Sequence, residues 1–169
     1  MRQLSDIKNH DYARIQEEDF NIIRDTATGT YVEVGTFHGA SAYAAAENAE
    51  IIYTIDVYDW KPKVWHNTDN IRFKKMTAVD FIAGEVFYPL NLGIDILFID
   101  GSHEFDYVRK DIESLEPYVK KGGIIMFHDY KKGSTGVYDA VNEYLEREKP
   151  ERLSLPIEGK TSILKVRKV

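Results

Sequence analysis

The sequence contains no cysteine. This absence excludes disulfide bonds, a thiolate nucleophile and the structural zinc sites that are built from sulfur ligands. Any metal ion must therefore be held by oxygen or imidazole, which makes carboxylates and histidines the candidate ligands.

Long apolar runs are also missing, since no stretch approaches the roughly 20 apolar residues that a membrane-spanning helix needs. Residues 1–6 lead into a charged stretch and not into the apolar segment of a secretion signal. These observations predict a cytoplasmic protein without a membrane partner.

Basic residues are outnumbered, because 22 Lys and Arg stand against 28 Asp and Glu, for a formal net charge of −6. Nucleic-acid binding usually rests on clustered Lys and Arg, so this balance disfavours a nucleic-acid partner. The nearest basic cluster combines Lys120 and Lys121 with Lys131 and Lys132. We interpret it as the solvated ends of two loops.

The length of 169 residues, with 43% hydrophobic and 30% charged residues, fits one globular domain over residues 1–169. Within it, residues 1–28 are predicted to form an N-terminal helical extension. Phe20, Ile23 and Ala27 would lie on one face of its helix.

Short apolar segments alternate with stretches of helical periodicity along the chain. The predicted strands are rich in β-branched and apolar residues, and they comprise residues 31–34, 51–55, 71–76, 94–99 and 124–127. The predicted helices cover residues 40–48, 79–86, 105–115 and about 137–145.

Two short apolar segments, 153–155 and 162–166, close the chain and predict an antiparallel hairpin. Together with the alternation before it, the hairpin predicts an α/β fold with a mostly parallel sheet, helices on both faces and an antiparallel strand at or near one edge. Ligands of such sheets bind at the carboxyl ends of the strands.

The first strand ends in the turn Glu33–Gly39, which contains Gly35 and Gly39. Glycines there let the backbone approach a ligand, and the free N–H groups of a following helix favour a nucleotide-like one. The alternative is that both glycines serve only a tight turn. Dinucleotide sites use a third glycine that is missing here. Asp56, about 20 residues later, ends the next strand, where a carboxylate can accept the hydroxyls of a ribose.

Residues 33–41 resemble motif I of the class I methyltransferases, in the variant of the cation-dependent O-methyltransferases, in which Phe37 stands at the middle glycine. The resemblance continues through residues 54–57, 98–103 and 122–129 and covers most of the chain. The chain is identified as a member of the methyltransferase domain 24 group, near the macrolide-sugar O-methyltransferases and the cephalosporin-hydroxylase-like proteins.

The resemblance implies a Rossmann-like sheet of seven strands whose last strand is inserted antiparallel. It also implies S-adenosylmethionine (SAM) as the cofactor. The implied contacts to SAM come from the glycine turn, from the ends of the second and fourth strands and from the region after the third: Glu33, Gly35, Thr36, Phe37, Gly39, Ser41, Asp56, Met76, Thr77 and Asp100.

Asp100 and Asp129 follow two strands that should be neighbours, so both carboxylates are expected at the ligand-binding edge. Hard cations such as Mg²⁺ take carboxylate oxygens, and the pair is a candidate metal site. His103 stands where the resemblance places the general base, and an imidazole suits proton removal near neutral pH. The alternatives are that Asp100 caps the next helix and that His103 is a surface residue.

Two positions near this candidate site remain open in the sequence. Tyr130 follows Asp129 where the related enzymes carry Asn or a second Asp, which weakens the metal assignment. His128 either completes the ligand set or faces away from Asp129, because side chains alternate in an extended segment.

The predicted function is SAM-dependent O-methylation of a small-molecule hydroxyl, such as a sugar diol, assisted by a divalent cation. The alternatives are a SAM-binding protein with other or no chemistry and an NAD-linked oxidoreductase on the same kind of sheet. The chain offers little material for a lid, so a homodimer partner is expected to complete the pocket. The aromatic residues Tyr58, Trp60 and Trp65 either form a wall of the site or pack on their own domain.

Overall fold

Strands and helices alternate in the order that the sequence predicts. The computed structural model describes residues 1–7, 15–60, 65, 68–84, 93–133 and 135–169. The strands are β1 (Thr30–Val34), β2 (Ile51–Asp56), β3 (Ile71–Lys75), β4 (Ile94–Ile99), β5 (Val119–Phe127), β6 (Glu151–Ser154) and β7 (Leu164–Arg167). The helices are α1 (Glu17–Thr26), α2 (Ala40–Ala45), α3 (Ala78–Ala83), α4 (Phe105–Leu115) and α5 (Thr135–Glu148), with 3-10 turns at Leu4–Asp6 and Glu116–Tyr118.

The seven strands form one sheet in the order β3-β2-β1-β4-β5-β7-β6. Neighbouring strands from β3 to β5 are parallel, and β7 lies antiparallel between β5 and β6. The predicted Rossmann-like sheet with its inserted antiparallel strand is thereby confirmed.

Helices cover both faces of the sheet because successive strand residues point to opposite sides. In β1, Tyr31 packs in the cluster that contains residues of α1 and α2, whereas Val32 and Val34 pack in the cluster that contains residues of α3, α4 and α5. The predicted inner face of α1 is confirmed, since Phe20 and Ile23 are fully buried. Burying each such side chain stabilises the fold by about 1.5–3 kcal/mol.

The helix that follows β3 is shorter than predicted. It begins after Thr77, whose hydroxyl accepts a hydrogen bond from the backbone N–H of Asp80 at 3.1 Å, and it ends before Gly84. The last two residues of the predicted 79–86 helix, Glu85 and Val86, lie outside the described residues.

The fifth strand is longer than predicted, because Gly122 and Gly123 lie inside it and do not mark its start. The register between β4 and β5 shifts at this point, and Gly122 has a φ of +84°. Gly122 still donates to the backbone carbonyl of Lys168 at 2.9 Å. The glycine pair therefore forms an irregular segment within β5.

The terminal hairpin pairs as predicted but with shifted bounds. Its first strand begins at Glu151, and Leu155 lies beyond it with 54% exposure. Its second strand begins at Leu164, because Thr161 and Ser162 bond to the carboxylate of Asp19 and do not extend the sheet.

The strand order reverses between β1 and β4, since the chain runs outward through β2 and β3 and then returns to the other side of β1. A crevice for ligands forms at the carboxyl ends of the strands on either side of such a reversal. Gly35 follows β1 and Asp100 follows β4, so the predicted site residues meet at this crevice.

Among the described residues, no helix is long and apolar enough to span a membrane.

Candidate active site

The turn after β1 is in direct backbone contact with the end of β4. Asp100 donates its backbone N–H to the carbonyl of Val34 at 2.9 Å. A Cβ on Gly35 would lie 2.0 Å from the carbonyl oxygen of Asp100, and Gly35 has a φ of +96°. Both facts require glycine here, because only glycine lets the turn lie this close to the end of β4.

Asp56 organises the same turn from the end of β2. Its Oδ2 accepts hydrogen bonds from the backbone N–H groups of Thr36 at 2.9 Å and Phe37 at 3.1 Å, and from the indole N–H of Trp60 at 3.0 Å. Its Oδ1 accepts the backbone N–H of Tyr58 at 2.9 Å. Phe37 has a φ of +42°, a left-handed conformation that the hydrogen bonds to Asp56 help to hold.

Glu33 lies beneath this turn with no exposed surface. The hydroxyl of Thr54 donates to its Oε1 at 2.6 Å, and the hydroxyls of Thr54 and Thr36 are also 2.6 Å apart. Burial raises the pKa of Glu33 to about 8, although hydrogen bonds to the carboxylate oppose that shift. Glu33 thus supports the turn from below.

The turn forms one wall of a cleft of about 1600 Å³ at the carboxyl edge of the sheet. Most of the predicted site residues line this cleft: Gly35, Thr36, Phe37, Ser41, Asp56, Met76, Thr77, Asp100, His103 and Asp129. Glu33 and Gly39 lie outside its lining, Glu33 because it is buried below and Gly39 because its carbonyl faces the Trp65 indole, whose N–H donates to it at 3.0 Å.

The three aromatic residues near β2 divide between the two interpretations offered by the sequence. Tyr58 and Trp60 line the cleft, and the Trp60 ring centroid lies 4.8 Å from that of Phe37. Trp65 packs on its own domain, against Gly39 and Phe73.

At the other end of the cleft, the candidate metal ligands converge. One ligand atom each from Asp100, His103 and Asp129 lies within 4.8 Å of the others. His103 Nε2 is 3.1 Å from Asp129 Oδ2, and its side chain is 63% exposed. Ser102, and not Asp100, accepts a hydrogen bond at the start of α4, from the backbone N–H of Glu104 at 3.2 Å. Among the described residues, no side-chain hydrogen bond gives Asp100 a capping role at α4.

His128 faces the carboxylates, although the alternation of side chains in an extended segment would point it away. Its Nδ1 lies 3.0 Å from Asp100 Oδ1 and 3.2 Å from Asp129 Oδ2. The alternation fails because Asp129 has a φ of +53°, which turns its side chain back beside His128.

The charges of this cluster depend on one another. Burial disfavours a charged imidazole, but the carboxylates of Asp100, Asp129 and Asp19 outweigh it and raise the pKa of His128 to about 12. The contact with His128 lowers the pKa of Asp129, whereas burial raises that of Asp100.

Asp19 and Asp111 also line the cleft, and the sequence interpretation missed both. Asp19 is 1% exposed on α1, and its Oδ2 lies 3.4 Å from His128 Nε2. Burial raises the pKa of Asp111, on α4, to about 7. The sequence spacing could have identified both carboxylates. Asp19 lies four positions before the buried Ile23, and Asp111 lies three positions after the buried Val108, so each carboxylate is on the inward face of its helix.

The donor set suits a divalent cation. Asp100, Asp129 and His103 bring two carboxylates and an imidazole together at the edge of the cleft, and His128 Nδ1 lies beside both carboxylates. His128 Nδ1 is buried without a hydrogen-bond partner among the described residues.

A family model described as a methyltransferase domain matches residues 32–130, more than half of the chain. The chain belongs to this family. The match begins in β1 and ends just after Asp129, so it includes the glycine turn and both candidate metal carboxylates. With its class I fold, the chain is a SAM-dependent methyltransferase.

The chain is also similar to one further protein in sequence and to two solved structures in fold. Uncharacterized protein R132 of Acanthamoeba polyphaga mimivirus is 32% identical over 157 residues, which cover 81% of this chain and 71% of that protein.

The O-methyltransferase from Bacillus cereus, solved in complex with S-adenosylhomocysteine (SAH), superposes with a TM-score of 0.68 at 14% identity and covers 89% of this chain and 80% of that one. MycE, a methyltransferase of the mycinamycin biosynthetic pathway solved with Mg, SAH and mycinamycin VI, superposes with a TM-score of 0.57 at 20% identity and covers 88% of this chain. This methyltransferase spans only 47% of the MycE chain. At these identities the two structures show a shared fold.

Proposed function

We propose that this methyltransferase transfers the methyl group of SAM to a hydroxyl oxygen of a small molecule, such as a sugar diol. His103 would act as the general base, and Asp100 and Asp129 would hold a divalent cation such as Mg²⁺. The observation that carries the proposal is the convergence of these three side chains on one end of the cleft whose wall is the glycine turn.

SAM would lie along that turn. Gly35 lines the cleft after β1, Met76 and Thr77 line it beyond β3, and Asp56 offers its carboxylate to the ribose hydroxyls. The SAH found in the Bacillus cereus O-methyltransferase and in MycE supports the cosubstrate, and the family assignment favours SAM over NAD.

The reaction is an in-line displacement. The acceptor oxygen forms a bond to the methyl carbon while the bond from that carbon to the sulfonium sulfur breaks, which leaves SAH as a neutral thioether. His103 takes the hydroxyl proton, and Asp129, 3.1 Å from its Nε2, stabilises the resulting imidazolium. A bound cation would lower the pKa of the acceptor hydroxyl and orient its oxygen. The Mg and the mycinamycin VI of MycE support this part of the proposal.

The first test measures cosubstrate and reaction separately. Calorimetric titration with SAH and with NAD⁺ identifies the cosubstrate, and a panel of polyhydroxylated small molecules incubated with SAM, with SAH formation as the readout, tests methyl transfer. We expect binding of SAH alone and cation-dependent turnover of at least one diol. Binding of SAH without turnover of any acceptor would favour the alternative of a SAM-binding protein without methyl transfer. The homodimer and the cytoplasmic location stay predictions.

A further inference from the structure

His128 is placed between three carboxylates. Its Nδ1 lies 3.0 Å from Asp100 Oδ1 and 3.2 Å from Asp129 Oδ2, and its Nε2 lies 3.4 Å from Asp19 Oδ2. The residue is only 9% exposed, and Nδ1 has no hydrogen-bond partner among the described residues despite these short distances. A buried nitrogen is therefore aimed between two carboxylates without a satisfied hydrogen bond to either.

The distances match those between ligands of one cation. Ligand atoms that bind a shared ion at about 2.1 Å and at right angles to each other lie about 3.0 Å apart. The separations of Nδ1 from Asp100 Oδ1 and from Asp129 Oδ2 are close to this value. The lone pair of His128 Nδ1 and the two carboxylate oxygens repel one another, and a cation bound among them would attract all three.

Asp19 lies where it can favour the tautomer of His128 that this arrangement needs, since its Oδ2 faces Nε2 at 3.4 Å. When Nε2 carries the proton and faces the Asp19 carboxylate, Nδ1 presents its lone pair to Asp100 and Asp129. Metal-bound histidines commonly hold their other ring nitrogen against a carboxylate in this way. Asp19 itself is fixed, because its Oδ1 accepts hydrogen bonds from the hydroxyl of Thr161 and from the backbone N–H of Ser162.

We propose that His128 is a third protein ligand of the cation, through Nδ1, and that Asp19 is its positioning residue. The inference rests on the cation site of the proposed function and extends it to the identity of the metal. A site with one or two imidazoles beside two carboxylates favours a transition metal such as Mn²⁺ or Co²⁺ over Mg²⁺, which prefers oxygen ligands.

The test is metal binding itself, measured on the full chain without an acceptor. Calorimetry with Mg²⁺, Mn²⁺ and Co²⁺ gives affinities, and the visible absorption of Co²⁺ reports its ligands. In the unmodified protein we expect Co²⁺ to bind at least about tenfold more tightly than Mg²⁺. Equal or tighter binding of Mg²⁺ would overturn the inference.

Two substitutions then test the named residues. Asp19→Asn should weaken Co²⁺ binding by about 10–100-fold. His128→Ala should weaken it further and shift the Co²⁺ absorption bands, whereas SAH affinity should stay within a few-fold. The matched control is Asp25→Asn, on the same helix, whose side chain is 65% exposed and which should leave Co²⁺ affinity unchanged. Co²⁺ bands and affinity that are the same in His128→Ala as in the unmodified protein would overturn the proposal.

The His128 variant could fail to fold, so a second measurement uses the His103→Ala variant, in which His128 is intact. Pulsed electron paramagnetic resonance of bound Mn²⁺ detects the nitrogen of a directly coordinated imidazole, and we expect that coupling to persist in His103→Ala. If Mn²⁺ binds without any nitrogen coupling, His128 is not a ligand, and the cation site of the proposed function survives. If no cation binds the unmodified protein even with SAH present, the cation part of the proposed function fails together with this inference.

Discussion

The indole N–H of Trp60 donates to Asp56 Oδ2 at 3.0 Å, so it bonds to the carboxylate that we propose for the ribose of SAM. The same oxygen already accepts two backbone N–H groups, which leaves no room for a hydroxyl donor as well. Binding of a ribose across both carboxylate oxygens therefore requires the indole to move. Trp60 lines the cleft and is 37% exposed, so it can leave without disturbing the core.

Replacement of Trp60 by Phe should tighten SAH binding, because the competing donor is removed while the aromatic contact with Phe37 is largely kept. A net hydrogen bond contributes about 0.5–1.5 kcal/mol, which corresponds to a gain of up to about tenfold in affinity. Calorimetry measures the gain. In the unmodified protein, SAH should also change the tryptophan fluorescence.

The matched control for this prediction is Trp65→Phe, since Trp65 packs behind the turn and not in the cleft. It should retain the fluorescence change on SAH binding. Weaker SAH binding in Trp60→Phe would mean that the indole stays in place and contacts the cosubstrate.

Gly35→Ala should remove SAH binding and destabilise the fold. The new Cβ would lie 2.0 Å from the Asp100 carbonyl oxygen and would also have to adopt a φ of +96°. Overpacking and backbone strain together predict a loss of about 2–5 kcal/mol in the free energy of unfolding. Denaturant unfolding measures it.

Gly133→Ala separates the two causes. Gly133 has a similar φ of +97°, but a Cβ there meets nothing within 4 Å. This control should lose only the 1–2 kcal/mol or so that is due to the backbone conformation. Equal losses in both variants would show that the close approach of Gly35 to Asp100 has no energetic effect.

The sequence predicted the parts of this molecule that depend on local pattern. The alternation of apolar strands and helices predicted the parallel sheet. Because the strand ends could be located, the sequence also predicted that one edge of the sheet carries Gly35, Asp56, Asp100 and Asp129. Periodicity also gave the buried face of α4, through Val108 and its neighbours.

Contacts between distant segments were beyond the same reasoning. Asp19 meets His128 across 109 positions of the chain, and nothing in the local pattern of α1 names its partner. The orientation of His128 depends on the positive φ of Asp129, which a rule of alternation cannot anticipate. The predicted strand 124–127 began too late, because the irregular segment at Gly122 and Gly123 within β5 has the same composition as a turn.

His103→Ala should lower methyl transfer by roughly 10²–10⁴ if His103 is the general base. The substitution should lower turnover and leave the affinity for SAH within a few-fold of that of the unmodified protein, because His103 lies at the acceptor end of the cleft. Asp100→Ala should abolish the cation-dependent part of the activity with SAH affinity again nearly unchanged. Single-turnover kinetics with labelled SAM measure both.

The control for these two variants is Asp106→Asn. Asp106 is an exposed residue in the first turn of α4, three positions after His103. It should keep the turnover of the unmodified protein. An unchanged rate in His103→Ala would assign His103 to the surface, and full turnover in Asp100→Ala would exclude the metal mechanism.

The buried Glu33 predicts how stability depends on pH. Its pKa is raised to about 8 in the folded protein, whereas an unfolded chain has a glutamate pKa near 4.3. The folded state therefore binds more protons between these values, and the contribution of Glu33 to stability falls as pH rises from about 4.3 to about 8. Glu33→Gln keeps the acceptor for the Thr54 hydroxyl but cannot ionise. At pH 8 it should be more stable than the unmodified protein by on the order of 4–5 kcal/mol, and at pH 4 the two should be nearly equal.

Thermal or denaturant unfolding across this pH range gives the difference. Glu143→Gln, an exposed carboxylate on α5 with 45% of its side chain accessible, is the matched control and should follow the unmodified protein at every pH. If Glu33→Gln instead loses stability at pH 8, then Glu33 is ionised in the folded state, and its hydrogen bonds with Thr54 outweigh the cost of burying its charge.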